Sequence, residues 1–193
     1  MKKLSSSLPN MLLSLTLIAA AAGALLAAAN HLTSAPIAKA NTAALAAALN
    51  TVCPPHNNDP LHDAFRISSS EGDSLTVFPA FQDSTLTGAA VQSSSPNGFA
   101  GNITLLVGFD NDGTIINYAV LQHNETPGLG SKMDAWFRNP NTNQNILGRK
   151  AGNLTLSKDG GDVDAITAST ITSRAFLHAI NRAYTSFLNS SNL

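Results

Sequence analysis

The chain has 193 residues, which is enough for one soluble domain and a membrane anchor. Its formal net charge is −1 at pH 7 and no basic stripe is visible, so we predict no nucleic-acid partner. A single cysteine, Cys53, excludes both an internal disulfide and a zinc ribbon of paired cysteines.

The N-terminal part contains an apolar run, residues 11–29, without any charged side chain. At about 1.5 Å rise per residue, a helix of this length crosses a hydrocarbon core about 30 Å thick. Lys2 and Lys3 precede the run, so the positive-inside rule predicts a cytoplasmic N-terminus and an exported remainder. A cleaved signal peptide with its site near Ala29 is the alternative, but the length of the run favours a retained anchor.

These features predict three regions along the chain. We expect a cytoplasmic tip and transmembrane anchor over 1–32, a linker with a short helix over 33–64, and an extracytoplasmic domain over 65–193. The helix-forming composition of 43–49 marks the short helix, and the proline-rich stretch 54–60 ends it. The cysteine and histidines near that stretch fit no standard zinc spacing, so we predict no metal site.

The clearest secondary structure in the domain is a β-hairpin. Apolar residues alternate from Ile103 to Phe109, the period of a strand. Asp112-Gly113 is a strong hairpin turn signal, and the β-branched segment from Thr114 to Gln122 returns antiparallel to the first strand.

Shorter elements surround the hairpin. We expect a strand over 74–78 with Leu75 and Val77 inward, and an amphipathic segment over 132–137. Composition predicts loops over 93–98 and 139–145 and a short strand over 152–157. The fold class predicted is α+β, with a transmembrane helix followed by one domain in which helices pack on a small antiparallel sheet.

A helix near the C-terminus follows a segment rich in hydroxyl groups. Apolar residues recur at helical spacing from Ala175 to Leu188, so this helix should bury one face. We expect Thr172 or Ser173 to be its N-cap. The free N–H groups and the dipole at such a helix start attract anions, phosphate above all.

The segment before this helix resembles a flavin attachment motif. Asp164-x-x-Thr167-Ala168-Ser169-Thr170 is similar to the Asp-x-x-(Ser/Thr)-Gly-Ala-Thr motif of the FMN-binding domain family. In that family the last threonine holds FMN through a phosphoester bond. The resemblance places this attachment at Thr170. Ala168 and Ser169 depart from the family's Gly and Ala, and the loss of glycine removes freedom at positive φ.

Two further motifs resemble signatures of the same family. Residues 125–130, Glu-Thr-Pro-Gly-Leu-Gly, match one family signature, and residues 158–161, Lys-Asp-Gly-Gly, match the turn that precedes the attachment site. The first hexapeptide should form a rigid turn after a strand, because Pro127 fixes its own φ and Gly128 permits a tight return. The resemblance places Glu125, Thr126 and Lys158 in the flavin pocket.

Three motifs in this order, together with an anchor, resemble the G subunits of Rnf-type ion-translocating electron transport complexes. The resemblance implies a covalent FMN, delivered by a separate flavin transferase, on the outer face of the cytoplasmic membrane. It also implies membrane subunits as partners and electron relay between ferredoxin and NAD coupled to ion movement. The chain would then be an electron-transfer subunit rather than a stand-alone enzyme, and we assign it no catalytic residue.

Two alternatives stay open at this stage. The related C subunit of the sodium-translocating NADH:quinone reductase would carry the same flavin in a different complex. An exported binding or scaffold module held by the same anchor would carry no cofactor, and Ser/Thr-rich helix starts are common enough to allow it.

Overall fold

The computed structural model describes residues 7–69, 71–140 and 142–190. Its first element is a helix, α1, over Leu8–Val52, which is long and apolar enough to cross a membrane by length and composition. The helix is assigned without a break at Pro36, so residues 43–49 form no separate helix; they lie in its last turns. Residues up to Ala44 form one unit and the residues from Leu45 onward a second, compact one. The residues from Leu45 to Ala64, expected in a linker, thus belong to the domain.

The domain is built on a five-stranded antiparallel sheet in which every strand pairs with its neighbours in sequence. The strands are β1 Phe65–Ser68, β2 Ser74–Gln82, β3 Thr85–Gly98, β4 Gly101–Asp110 and β5 Ile115–Gln122. The predicted hairpin is β4 and β5, joined by the turn at Asp112-Gly113, where Gly113 has φ +77°. A short helix, α2 Met133–Trp136, and a long one, α3 Thr170–Ser190, complete the α+β fold.

One face of the sheet carries the larger core. Leu75 and Val77 point into it, as expected, and strands β3 to β5 add large apolar side chains, all buried. The apolar stripe of α3 covers this face, and Phe176 stacks on Phe137 and meets Tyr118 edge-on. Packing on the sheet therefore fixes the position and direction of α3, and so also the position of its first residues.

The opposite face is covered by the C-terminal end of α1. Leu49 and Val52 are buried there against alternate residues of the middle strands, Phe78, Ala90 and Leu106. The helix approaches so closely that a Cβ at Gly108 would lie 1.9 Å from the Val52 carbonyl oxygen. The thiol of Cys53 is half-buried beside this contact, and burial raises its pKa to about 11.

The loop expected at 93–98 is wrong, because these residues form the end of β3. Ser93, Ser94 and Ser95 pair with residues of β4, and the Ser93 and Ser95 side chains are buried. His178 of α3 lies 3.2 Å from the Ser95 hydroxyl, a contact that needs a small polar residue in the strand. Tertiary packing therefore overrides the composition of the segment.

The strand expected at 152–157 is also absent among the described residues, apart from an isolated bridge between Leu156 and Val163. Asn181 of α3 replaces a neighbouring strand: its side-chain oxygen accepts the N–H groups of Gly152 and Leu154 at 3.1 Å. Its amide donates to the Leu154 carbonyl at 2.9 Å. One side chain thus satisfies backbone groups that a sheet would otherwise pair.

Candidate functional site

A cavity of about 330 Å³ lies at the N-terminal end of α3. Three segments form its walls: the turn between β3 and β4, the predicted turn at 125–130, and the start of the helix. The lining residues are Phe99, Glu125, Thr126, Leu129, Gly130, Ala168, Ser169, Thr170, Ile171 and Thr172. The fold thus brings two of the three sequence motifs to one cavity, and the third approaches it through Lys158.

The helix begins at Thr170, so the predicted N-cap at Thr172 or Ser173 is wrong by a few residues. The Ser173 N–H donates to the Ser169 carbonyl at 3.0 Å, which places the N–H groups of residues 170–172 ahead of this helical bond. The Ser173 hydroxyl donates to the same carbonyl and accepts the Ile166 N–H, both at 2.9 Å. Ser173 therefore holds the loop that carries the attachment motif, residues 164–170 (the motif loop), against the first turn of the helix.

Three threonines, Thr167, Thr170 and Thr172, lie in or just after the attachment motif, and their surroundings differ. Thr172 is 1 % exposed, and its hydroxyl donates to the Glu125 carboxylate at 2.5 Å. Thr167 is exposed and does not line the cavity. Thr170 is half-buried, lines the cavity, and lies at the helix start beside the free N–H groups. Of the three, Thr170 alone combines an accessible hydroxyl with a place in the cavity.

Lys158 is brought to Thr170 by the Lys-Asp-Gly-Gly turn. Its ammonium Nζ lies 3.4 Å from the Thr170 Oγ1. The next residue, Asp159, makes a bidentate pair with Arg174 of α3, with both N–O distances at 2.7 Å. Hydrogen bonding and charge from that guanidinium hold the pKa of Asp159 below its usual value. The pair ties the turn to the first turns of α3 and so keeps a cation beside the helix start.

Glu125 and Thr126 line the cavity from the turn at 125–130. Glu125 is 5 % exposed, and its second carboxylate oxygen accepts the Ala100 N–H at 3.0 Å. Thr126 is exposed, and its carbonyl accepts the Leu129 N–H at 3.1 Å, which closes the turn. Gly128 has φ +77°, the left-handed conformation expected of it.

The mouth of the cavity carries three large apolar side chains in contact with solvent. Phe99 is 68 % exposed, Ile171 49 % and Leu129 41 %. Leu129 belongs to the matched hexapeptide at 125–130, whereas sequence reasoning missed Phe99 and Ile171. An aromatic residue between Gly98 and Gly101 in a turn was the available signal for Phe99. An apolar rim around a polar, cation-flanked floor suits a ligand with a flat ring at one end and an anion at the other.

Comparison with known proteins identifies the family. A model described as FMN-binding domain matches residues 98–185. The chain is 34 % identical to the G subunit of the ion-translocating oxidoreductase complex of Escherichia coli K12, over 89 % of this chain and 86 % of that protein. The corresponding G subunit of Yersinia pestis is 33 % identical, again over 89 % of this chain and 86 % of that protein. The chain belongs to this family of G subunits.

The solved structure of NqrC from Shewanella oneidensis superposes with a TM-score of 0.48 at 22 % identity, over 66 % of this chain and 69 % of that one. The match to the FMN-binding domain spans all three motifs.

Ala168 stands where the FMN-binding family's motif has glycine, and the structure shows what that position requires. Ala168 has φ +62°, in the left-handed region that non-glycine residues rarely adopt. The motif loop therefore keeps the backbone conformation that a glycine would adopt freely. Its first residue, Asp164, accepts the Ser157 hydroxyl at 3.0 Å, and its carbonyl accepts the Trp136 indole N–H at 3.0 Å.

Among the residues that the structure describes, no cluster of three or more His, Cys, Asp or Glu side chains could hold a metal ion. The histidine at position 56 lies with its Nδ1 2.9 Å from the Pro54 carbonyl oxygen.

Proposed function

We propose that this domain carries FMN as a phosphoester on Thr170. The single observation that supports it is the placement of the Thr170 hydroxyl at the start of α3, in the cavity and 3.4 Å from Lys158. A phosphate there would accept from the free N–H groups of the helix start and lie beside the lysine. The half-buried hydroxyl stays accessible to an enzyme that delivers the group.

The rest of the cavity suits the remainder of the cofactor. Phe99, Leu129 and Ile171 offer apolar surface for the isoalloxazine, and the turn at 125–130 offers Glu125 and Thr126 for its polar edges. When bound, FMN supplies the redox chemistry of the subunit. The chain holds, orients and partly shields it. Among the described residues, the hydrogen-bond partner of the Thr170 hydroxyl is Lys158 rather than a carboxylate or a histidine, so a separate flavin transferase is part of the proposal.

We infer that the protein works as an electron-transfer subunit within an ion-translocating oxidoreductase complex. The family relatives at 33–34 % identity bear that complex in their names, and they support this assignment over the quinone-reductase and scaffold alternatives. In the proposed complex the flavin relays electrons between ferredoxin and NAD, and other membrane subunits are the partners. Helix α1 would anchor the domain on the outer face of the cytoplasmic membrane.

The attachment site is tested with Thr170→Val, which keeps the side-chain shape and removes the hydroxyl. Full-length protein is co-expressed with a flavin transferase, denatured, run on a gel and viewed for flavin fluorescence. We expect fluorescence in the unmutated chain and none in Thr170→Val.

Thr167→Val is the matched control, since it removes a hydroxyl from the same loop outside the cavity, and it should remain fluorescent. Fluorescence in Thr170→Val would show that another residue is the acceptor. A dark unmutated protein would favour the cofactor-free module.

A further inference from the structure

Among the residues that the structure describes, Glu125 differs from the paired carboxylates of this domain because it has no cationic partner. Asp73, Asp159 and Asp162 each pair with an arginine, and all three side chains are partly exposed. Glu125 is 5 % exposed, and within the described parts of the chain none of the ion pairs includes it. A buried carboxylate without a counter-cation is costly, so its place in a cavity wall calls for a role.

The carboxylate is held by donors on both oxygens. Oε1 accepts the Ala100 N–H at 3.0 Å, and Oε2 accepts the Thr172 hydroxyl at 2.5 Å. A backbone amide and a hydroxyl thus donate one hydrogen bond to each carboxylate oxygen, and such bonds are stronger to a charged acceptor than to a neutral one.

Two glycines enclose the same group. A Cβ at Gly98 would lie 2.7 Å from Oε1, and one at Gly130 would lie 2.6 Å from Oε2. Any larger residue at either position would displace the carboxylate, so the backbone packs directly on it. The negative charge is therefore fixed in position on the cavity wall.

We propose that Glu125 is a redox-tuning residue that lowers the midpoint potential of the flavin. This inference rests on the proposed function, because it requires the flavin ring in the cavity that Glu125 lines. Reduction adds electrons to the ring, and a fixed negative charge in a partly buried site opposes that addition. Lys158 lies beside Thr170, at the phosphate end, so it offsets the charge of the attached phosphate more than it offsets the charge of Glu125.

Glu125→Gln is the direct test, since it keeps the shape and removes the charge. The Thr172 hydroxyl can rotate to accept from the new amide, which preserves the contact. Flavinylated full-length protein in detergent is titrated with dithionite against redox mediators, and the oxidised fraction is followed by absorbance. We expect the reduced-to-oxidised ratio at a given potential to rise about tenfold, a shift of about +30 mV for a two-electron couple.

Two controls separate this effect from general disturbance. Asp112→Asn removes one charge from the exposed β4–β5 turn and should leave the potential unchanged, because water screens it. Thr172→Val keeps the Glu125 charge and removes a donor that partly offsets it, so the potential should fall.

An unchanged or lower potential in Glu125→Gln overturns the proposal. If that variant does not fold, an unchanged or higher potential in Thr172→Val overturns it instead. Failure of the proposed function is a distinct result, because the unmutated protein would then show no flavin fluorescence on the denaturing gel and no flavin absorbance to titrate.

Discussion

At the scale of single residues, Ala168 shows how the motif loop departs from its most favourable sequence. A left-handed conformation costs a non-glycine residue about 1–2 kcal/mol in the folded state. Glycine avoids this cost, but its greater freedom in the unfolded chain cancels part of the gain in stability. With φ at +62°, Ala168→Gly should raise the free energy of unfolding by roughly 0.5–1 kcal/mol. The measurement is urea unfolding of the full-length protein in detergent, followed by the fluorescence of its single tryptophan, Trp136.

The same substitution at a helical position supplies the control for that prediction. Ala135 lies exposed in α2, where glycine has no conformational advantage, so Ala135→Gly should lower the free energy of unfolding by roughly 0.5–1 kcal/mol. Equal losses in the two variants would mean that the backbone at Ala168 is unstrained.

The proposed attachment threonine illustrates what sequence can predict about a residue and what it cannot. The motif register indicated Thr170, and the structure gives this residue a different environment from Thr167 and Thr172. Nothing in the residue types themselves distinguishes three threonines within six positions. The difference comes from long-range contacts, such as the hydrogen bond of Thr172 to Glu125, 47 residues away in sequence.

At the scale of elements, the turn at 125–130 contains two glycines that are needed for different structural reasons. Gly128 has φ +77° with open space where a Cβ would point, whereas a Cβ at Gly130 would lie 2.8 Å from the Thr172 hydroxyl and closer still to Glu125. Gly130→Ala should therefore displace the cavity wall and alter the flavin absorbance spectrum. Gly128→Ala should cost about 1 kcal/mol of stability and leave the spectrum unchanged.

Absorbance of the purified flavoprotein and its urea midpoint, measured together, separate the two effects. A spectral change in Gly128→Ala of the same size as in Gly130→Ala would mean that the whole turn, rather than the contact with Glu125, shapes the flavin site.

The β1–β2 turn is fastened to α3 by a buried arginine. Arg182 pairs with Asp73 at 2.5 Å and with Glu71 at 3.1 Å, and hydrogen bonding from Arg182 and then Ser69 holds the pKa of Asp73 below its usual 3.8. A carboxyl with a lowered folded-state pKa stabilises the protein above its unfolded pKa and loses that contribution as the pH falls through the folded value.

The expected result is a pH-dependent difference between the unmutated chain and Asp73→Asn. The variant should be less stable at pH 7, and the difference should shrink as the pH drops below about 4. Urea unfolding at a series of pH values measures it. A difference that stays constant down to pH 2 would show that Asp73 acts through its shape rather than its charge.

The elements that sequence predicted correctly are those whose pattern repeats locally. The β4–β5 hairpin and the apolar stripe of α3 each carry their own period, and both were found. The end of β3 was missed because three serines read as a loop, although pairing with β4 and the contact with His178 favour a strand there. The strand predicted over 152–157 was wrong for the converse reason. Asn181 makes the hydrogen bonds to the backbone of this segment that a neighbouring strand would otherwise make.

At the scale of the whole molecule, the positions of the charges predict how the chain is inserted. We expect α1 to be retained as an anchor with the domain outside the cytoplasm, because the run at 11–29 is uncharged and Lys2 and Lys3 precede it. A C-terminal reporter that is active only after export should be active, and the intact mass should include the N-terminus. Replacing both lysines with glutamate should lower the exported fraction.

Activity of a reporter that works only in the cytoplasm would contradict this orientation. A mature N-terminus near Ala29 would instead show that the apolar run is a cleaved signal.

The candidate site as a whole was predictable in its parts but not in its assembly. Each motif was visible in the sequence, and the resemblance to a family supplied their order. The distance between Lys158 and Thr170 and the enclosure of Glu125 depend on how the sheet directs α3. The apolar rim at Phe99 and Ile171 was missed because exposed apolar residues carry no periodic signal.

The cavity is completed only after the sheet has been synthesised, because α3, which supplies one of its walls, follows all five strands along the chain. A ribosome that has made only the sheet has produced neither the acceptor hydroxyl nor the helix start beside it. Flavin attachment at Thr170 would then be confined to finished domains, and a chain truncated before residue 170 would stay colourless. The colour of the protein would thus report the completion of its fold, with no separate checkpoint needed.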